Sequence, residues 1–221
     1  MHMAVETEAQ APARARGRPR KTAGERDDGN RRRALLQAAA RLFHRQGFHG
    51  TSTRDIAAAV GMQSGSPFYH FDSKSNLLFA VMEEGMRSAL ARQSRVLQKI
   101  EQTIEDPRSL LAHLIRNHFG VLLGPGSDFI PVMLYESRSL TGPQRQAIAA
   151  LQADYEAPWL PALARLHAQG RLRGDIKLAR LLIFGALNWS AQWYRPSRTG
   201  ATLDELTQAA MDLFIQEGVA A

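Results

Sequence analysis

The stretch that decides the fold is T-S-T-R-D-I-A-A-A-V-G-M-Q-S-G-S-P-F-Y-H-F-D-S-K-S-N-L-L, residues 51–78. Ser52, followed three residues later by Asp55, forms a capping box that predicts the start of a helix. Gly61 predicts the end of that helix, and a second short helix is predicted over residues 63–70. Two short helices joined by a turn that contains glycine are typical of the helix-turn-helix, whose second helix enters the major groove of DNA.

The distribution of charge supports a nucleic-acid partner. The chain has 221 residues and a formal net charge of +7. Residues 1–75 contain 13 Lys and Arg against 7 Asp and Glu, whereas the remaining residues contain 15 against 14. Positive charge confined to the part of the chain that holds the helix-turn-helix predicts contact with double-stranded DNA. The nearly neutral remainder predicts a different task.

Composition and spacing disfavour catalysis and metal binding. Because the chain has no cysteine, disulfides, thiolate metal sites and a cysteine nucleophile are excluded. His113 and His118 are five residues apart and do not share a helix face as metal ligands at i and i+4 would. Ser64 and Ser66 have no nearby base. We therefore predict a protein that is not an enzyme and that has no metal or cofactor.

Two features bear on localisation. The N-terminus is basic and lacks the apolar segment of a signal peptide. The most apolar run, residues 181–193, is too short to cross a bilayer. The sequence therefore predicts a cytoplasmic protein with no membrane partner.

Hydrophobic spacing predicts an all-α protein, because no segment shows the alternation of a strand. Gly47 is expected to end the first helix in the left-handed helical conformation, and Pro158 and Pro161 are expected to bend or split the longest one. Beyond the pair in the helix-turn-helix, the predicted helices cover residues 31–46, 74–98, from 106–107 onward, 129–139, 143–169, 175–194 and from Thr202 onward.

The first 30 residues are predicted to be a disordered basic arm, since they are poor in apolar residues and rich in Ala, Pro, Arg and Gly. Residues 17–19 read G-R-P within a cluster of arginines, a pattern that suits the narrow minor groove of DNA. A solvated tail that keeps the protein soluble explains the composition equally well. Residues 31–78 would then form a DNA-binding domain and residues 79–221 a larger helical domain.

Residues 51–78 also resemble the DNA-binding signature of the tetracycline-repressor (TetR) family, which runs roughly T-[ST]-x-R-D-I-A-x-x-x-G-V-S-x-G-x-L-Y-x-H-F-x-S-K-x-x-L. The resemblance implies that residues 63–66 face the major groove and that Thr53 and Arg54 touch a phosphate and a base edge. It also implies that Tyr69, His70 and Lys74 hold phosphates. The DNA-binding candidates are Thr53, Arg54, Gln63, Ser64, Gly65, Ser66, Tyr69, His70 and Lys74.

Two positions depart from that signature. Pro67 stands where the family has Leu, and Phe68 stands where it has Tyr. Because Phe68 has no hydroxyl to donate to a phosphate, we assign that role to the neighbouring Tyr69.

The resemblance also implies a dimer interface and a pocket for a small-molecule inducer in the larger domain. Residues 170–196 are similar to a branch of the family that represses lipid or steroid-ring degradation and responds to coenzyme A thioesters. The ligand-binding candidates are Arg116, Tyr135, Trp159, Asn188 and Trp189. Further arginines that this resemblance offers to coenzyme phosphates are Arg138, Arg171 and Arg173. Trp193 is interpreted as a core or dimer contact, and for Trp189 that alternative stays open.

Together these patterns predict a homodimeric, ligand-responsive repressor with an N-terminal three-helix helix-turn-helix DNA-binding domain and a larger helical domain for ligand binding and dimerisation. Residues 175–194 and 202–217 would form the dimer interface and set two half-sites about one DNA turn, roughly 34–36 Å, apart. The helix that begins at Lys74 would couple the pocket to the DNA-binding domain. The alternatives are a sequence-indifferent DNA-coating protein that relies on the arginine-rich arm, and a helical small-molecule carrier.

Overall fold

Every regular element in the computed structural model is helical, within the residues that it describes, 23–62, 70–100 and 106–217. The side chains of residues 23–28, 196 and 199 lie outside that description. A short 3-10 turn occupies Ser137–Ser139. The α-helices are α1 Ala23–Gly50, α2 Thr53–Ala59, α3 Lys74–Ile100, α4 Pro107–Leu122, α5 Phe129–Glu136, α6 Gly142–Glu156, α7 Trp159–Ala168, α8 Ile176–Trp193, α9 Pro196–Thr199 and α10 Leu203–Phe214.

Helix α1 is longer than predicted at its N-terminal end. It begins at Ala23, whereas we expected a helix from Arg31 and disorder before it. The residues in between include Ala, Glu and Arg, which favour helix, and a polar helix that extends from a packed one needs no burial of its own. The arginine-rich residues 14–21 and the rest of the arm up to residue 22 lie outside the described residues.

Gly47 interrupts α1, as the sequence predicts, but in a different conformation from the one expected. Its φ is 73° and its ψ is 167°, so the backbone there is not left-handed helical. The positive φ still requires glycine, because a Cβ is strained in that region. The chain resumes as a short helical turn to Gly50 and then enters α2.

The predicted helix starts are confirmed by their caps. In α2 the backbone N–H of Asp55 donates to Ser52 Oγ over 3.1 Å, and the N–H of Ser52 donates to Asp55 Oδ2 over 2.8 Å. The same reciprocal pair joins Thr202 and Glu205 at α10. Asp106 caps α4 ahead of its N-terminal proline. The helix predicted over 143–169 is split into α6 and α7 at Ala157 and Pro158, since proline cannot continue the hydrogen-bond ladder.

A single hydrophobic core runs through both parts of the molecule. In the N-terminal part, α1 packs against α2 and against α3 through fully buried side chains, among them Leu35, Phe43 and Ile56. Helix α3 then continues into the larger part, where α4, α5 and α6 pack on it. Because α3 belongs to both parts, a movement of its C-terminal half reaches the helix-turn-helix directly.

Candidate functional site

The described part of the helix-turn-helix presents one exposed cation on α2. Thr53 and Arg54 occupy the first turn of α2, Thr53 half-buried and Arg54 exposed. The pKa of the Asp55 carboxyl is lowered because it accepts hydrogen bonds from the side chain and backbone of Ser52. The capping box therefore holds this turn in one conformation and leaves the guanidinium of Arg54 at the surface.

Lys74 ties α3 to the turn between α1 and α2. Its Nζ donates to the backbone carbonyls of Phe48 and Thr51 over 2.9 and 3.0 Å, and it lies 4.2 Å from the centroid of the Phe48 ring. An ammonium group has three N–H donors, so one remains for a DNA phosphate. The sequence indicated the phosphate contact but not this internal role.

Five of the residues predicted to contact DNA are not described by the structure. Gln63, Ser64, Gly65, Ser66 and Tyr69 lie outside the described residues, so their roles stay predictions. His70 is described and half-buried, with its ring centroid 6.4 Å from that of Phe71.

A small cavity lies in the larger part, between α3, α4, α5, α6 and α8. It leaves about 40 Å³ of free space for a water-sized molecule. Its lining is Met86, Ala89, His118, Val121, Ile130, Met133, Gln152, Tyr155, Glu156, Phe184 and Asn188.

His118 is the centre of a polar group inside this otherwise apolar core. Its Nε2 lies 3.1 Å from Asn188 Oδ1, and its Nδ1 lies 3.3 Å from the Tyr155 hydroxyl. Because an amide oxygen only accepts, Nε2 carries the proton and Nδ1 accepts from Tyr155. The three side chains therefore form one hydrogen-bonded chain of neutral groups.

Burial fixes the protonation of that chain. Desolvation lowers the pKa of His118 to about 4, against the opposing effect of its hydrogen bond to Asn188. Desolvation likewise raises the pKa of the Tyr155 hydroxyl well above its usual value, although the positive charge of Arg92 acts in the other direction. Near neutral pH both groups are uncharged.

Two aromatic rings, those of Trp159 and Phe184, pack against the His118 ring. Trp159 is fully buried, and its ring centroid lies 4.5 Å from that of Phe184. Both rings meet the His118 ring edge to face, at 5.9 and 5.4 Å. The Trp159 Nε1–H donates to Gln93, so this indole is held in place by packing and by a hydrogen bond.

Of the five predicted ligand-binding residues, Asn188 alone is part of the cavity lining. Trp159 packs against the His118 ring, and Arg116 is paired with Asp204 at the surface. The side chains of Tyr135 and Trp189 are exposed, at 44% and 64%. Sequence reasoning missed His118 and Tyr155, for which the available signal was a polar residue at a core-facing position of an apolar helix.

Helix α5 joins the cavity to the helix-turn-helix. Ile130 and Met133 line the cavity. Asp128, which precedes α5, lies 2.9 Å from His44 Nδ1 on α1. At the other end of α5, Glu136 lies beside Gly47, where an added Cβ would approach it to 3.2 Å. One short helix therefore contacts both the cavity and α1.

An exposed apolar face runs along α8. Leu178, Leu182, Trp189 and Trp193 follow one another at helical spacing and are 61%, 68%, 64% and 49% exposed. Leu213 on α10 is 81% exposed. A continuous apolar face of this size marks an interaction surface, and it lies on the two helices predicted to form a dimer interface.

The low pKa of His118 predicts a specific dependence of stability on pH. His118 binds a proton near pH 6.5 in the unfolded chain and near pH 4 in the folded protein. The contribution of neutral His118 to the free energy of unfolding is therefore fully present above pH 6.5 and is lost as the pH falls towards 4. From pH 7 to pH 5 we expect the free energy of unfolding of the native protein to fall by about 2 kcal/mol more than that of a His118→Gln variant.

The measurement is urea unfolding of both proteins at the two pH values, at one fixed protein concentration. The other titrating groups are common to both proteins, so the comparison isolates the imidazole. An equal loss of stability in the native protein and the variant would contradict a neutral His118.

Two family models match the chain. The model for bacterial regulatory proteins of the tetR family matches residues 35–81, and the model for the tetracyclin repressor-like C-terminal domain matches residues 104–217. Together they cover the helix-turn-helix, the first turns of α3, and the cavity-lining helices α4, α5, α6 and α8.

Known proteins resemble the chain over most of its length. The HTH-type transcriptional repressor KstR2 of Rhodococcus jostii is 29% identical over 84% of this chain and 89% of that protein. The HTH-type transcriptional regulator Mb3439c of Mycobacterium bovis is 30% identical over 85% of this chain and 86% of its own length. A crystal structure of AibR with isovaleryl coenzyme A and operator DNA superposes with a TM-score of 0.70 at 31% identity, covering 82% of this chain and 95% of AibR.

The matched helix-turn-helix, the matched C-terminal domain and relatives that span nearly the whole chain agree with one another. The chain belongs to the TetR family of bacterial transcriptional regulators.

Proposed function

We propose that this regulator represses transcription as a homodimer on a palindromic operator in the cytoplasm, and that an acyl-coenzyme A thioester in the α3–α8 cavity releases it. The observation that carries the proposal is the position of α5, which lines the cavity with Ile130 and Met133 and is linked to α1 through Asp128 and His44. A ligand that displaces α5 therefore acts on the helix-turn-helix.

The small size of the cavity supports a ligand-dependent change of shape. Its 40 Å³ is far below the roughly 300–1,000 Å³ of typical ligand sites. A ligand with an acyl group has to move side chains of α4, α5 or α6 before it fits. The ligand shifts the equilibrium only by its difference in affinity for the two shapes, typically about 1–3 kcal/mol.

The polar chain inside the cavity indicates the chemistry of the buried part of the ligand. His118, Tyr155 and Asn188 are neutral and suit a carbonyl or hydroxyl oxygen. The one charged side chain in the lining is Glu156, whose carboxylate pairs with Arg180. A free carboxylate would meet no cation among the described residues of this lining and would lose its hydration there. A thioester, in which the acyl carbonyl is uncharged, fits better, and isovaleryl coenzyme A is the thioester found with AibR.

The dimer is supported by the apolar face on α8 and α10. Pairing this face with its copy around a two-fold axis buries the exposed Leu and Trp side chains and gives a self-complementary interface. The two helix-turn-helix units then face half-sites about one turn of DNA, roughly 34–36 Å, apart.

The test selects bound duplexes from a random DNA library at near-physiological salt and then titrates the complex with acetyl-, isovaleryl-, octanoyl- and stearoyl-coenzyme A. We expect an inverted repeat, release of that DNA by isovaleryl-coenzyme A, and no release by free isovalerate. Retained DNA without a motif would support a sequence-indifferent coating protein, and no retained DNA would support a carrier. An operator that no thioester releases would refute the proposed inducer.

The contact through α5 predicts an uncoupled variant. His44→Ala removes the partner of Asp128, and we expect operator affinity to stay near that of the native protein because His44 lies on the side of α1 that faces α5. The concentration of isovaleryl-coenzyme A needed for half-release should rise about 3- to 10-fold, which corresponds to a loss of coupling of about 0.6–1.4 kcal/mol.

The matched control is His167→Ala, which removes an exposed histidine at the end of α7. Fluorescence anisotropy of labelled operator DNA measures both quantities. Identical half-release concentrations for the native protein and His44→Ala would show that α5 does not carry the signal.

Lys74 and Gln63 are predicted to contribute to DNA binding in different ways. Lys74→Ala should weaken binding to operator and random DNA alike and reduce the salt dependence of binding by about one counterion. Gln63→Ala should instead relax the preference at one base pair, by roughly 1–3 kcal/mol.

Affinities for operator and random duplexes over a range of salt concentrations distinguish the two roles. Equal losses on both DNAs for both variants would contradict this division. A Lys74→Ala variant that is less stable but has an unchanged salt dependence would show that the hydrogen bonds to Phe48 and Thr51 are its whole role.

A further inference from the structure

A second cavity adjoins the first at the surface of α3, α4 and the loop before α5. Its free volume is about 100 Å³, and it shares Ala89, Val121 and Ile130 with the first cavity. The rest of its lining is Gly85, Ser88, Arg92, Gly120, Pro125, Gly126, Ser127 and Phe129. The two cavities therefore lie side by side at these three residues.

Arg92 supplies the charge of this second cavity. Its side chain lies against α4, where Nη1 donates to the carbonyl of Gly120 over 2.9 Å. A Cβ at position 120 would collide with the guanidinium, so glycine is what makes room for Arg92 there. One of the five guanidinium N–H donors is used in this contact, and the residue is exposed.

Arg92 also differs from several other arginines of the larger part in having no carboxylate partner among the described residues. Arg87 pairs with Glu83, Arg116 with Asp204 and Arg180 with Glu156. The acidic residue nearest in sequence to this cavity's loop, Asp128, is engaged with His44. The positive charge of Arg92 is therefore available to an anion.

We propose that Arg92, with the hydroxyls of Ser88 and Ser127, binds a phosphate of the coenzyme while the acyl group enters the first cavity. The inference rests on the proposed function, since it assigns the two cavities to the two ends of one thioester. Arg92 lines the second cavity and not the first, so the electrostatic field favours the anionic end of the ligand in the second cavity. Guanidinium groups suit phosphate because several parallel N–H donors reach its oxygens.

Arg92 is not one of the arginines that were predicted from the sequence to bind the coenzyme phosphates. Arg116, Arg138, Arg171 and Arg173 line neither of the two adjoining cavities. Arg92 was not among them, because its position beside the cavity depends on α4 and on Gly120, 28 residues further along the chain.

The experiment compares two probes that share one acyl group. Isovaleryl-coenzyme A carries phosphates, and isovaleryl-pantetheine does not. Their dissociation constants are measured by calorimetry on the full-length protein and on Arg92→Gln, Arg92→Lys and the control Arg95→Gln, which removes a charge three residues along α3 from a position outside both linings.

We expect Arg92→Gln to weaken isovaleryl-coenzyme A about 10- to 100-fold, the usual cost of losing hydrogen bonds to a charged group. The affinity for isovaleryl-pantetheine should stay within twofold, Arg92→Lys should retain part of the coenzyme affinity, and Arg95→Gln should match the native protein. Operator affinity without thioester should be unchanged in every variant, which also reports correct folding.

Three outcomes overturn the inference. If Arg92→Gln leaves the affinity for isovaleryl-coenzyme A unchanged while the native protein binds it, the phosphate lies elsewhere and the proposed function stands. If Arg92→Gln weakens both probes equally, Arg92 shapes the cavity and does not bind phosphate. If the native protein binds neither probe, the thioester proposal fails, and this inference fails with it.

Discussion

Close packing of α5 on α3 is the constraint on which the rest of the larger domain depends. It is possible because residue 85 is glycine: a Cβ there would lie 2.7 Å from the Cβ of Phe129. With α5 seated on α3, Ile130 and Met133 close the first cavity, and Asp128 reaches His44 on α1. The same short helix thus forms a wall of the first cavity and contacts the DNA-binding part. A larger side chain at residue 85 would push α5 away from α3 and remove both contacts.

A second constraint acts inside the first cavity: buried polar groups need hydrogen-bond partners. His118 meets it by donating to Asn188 and accepting from Tyr155, without any ionised partner. The same neutrality that makes the first cavity stable at pH 7 disfavours a charged ligand group there, because the charged side chain in its lining, Glu156, is already paired with Arg180. The anion-binding capacity lies outside, at Arg92, where solvent and a guanidinium are both present.

Local features were predictable from the sequence, and long-range ones were not. Capping boxes such as that of Ser52 depend on residues three apart, and a proline such as Pro158 interrupts a helix that would otherwise run through it; both predictions are confirmed. The pocket draws Met86, His118, Tyr155 and Phe184 from helices far apart in the chain, so no local pattern indicates it. Lys74 shows an intermediate case: the family signature singles it out, but its hydrogen bonds reach back 23 and 26 residues to carbonyls that carry no sequence signal.

The apolar face of α8 has a consequence for how much of this regulator a cell holds. A protomer that leaves its dimer exposes Leu178, Leu182, Trp189 and Leu213 to water together. Dissociation then costs the hydrophobic free energy of that face, so the folded state is stabilised by mass action and weakens as the protein becomes scarce. Protein abundance would therefore affect the amount of functional regulator in two ways. It sets the fraction of chains that are dimeric, and it sets how much separated chain is exposed to aggregation and proteolysis.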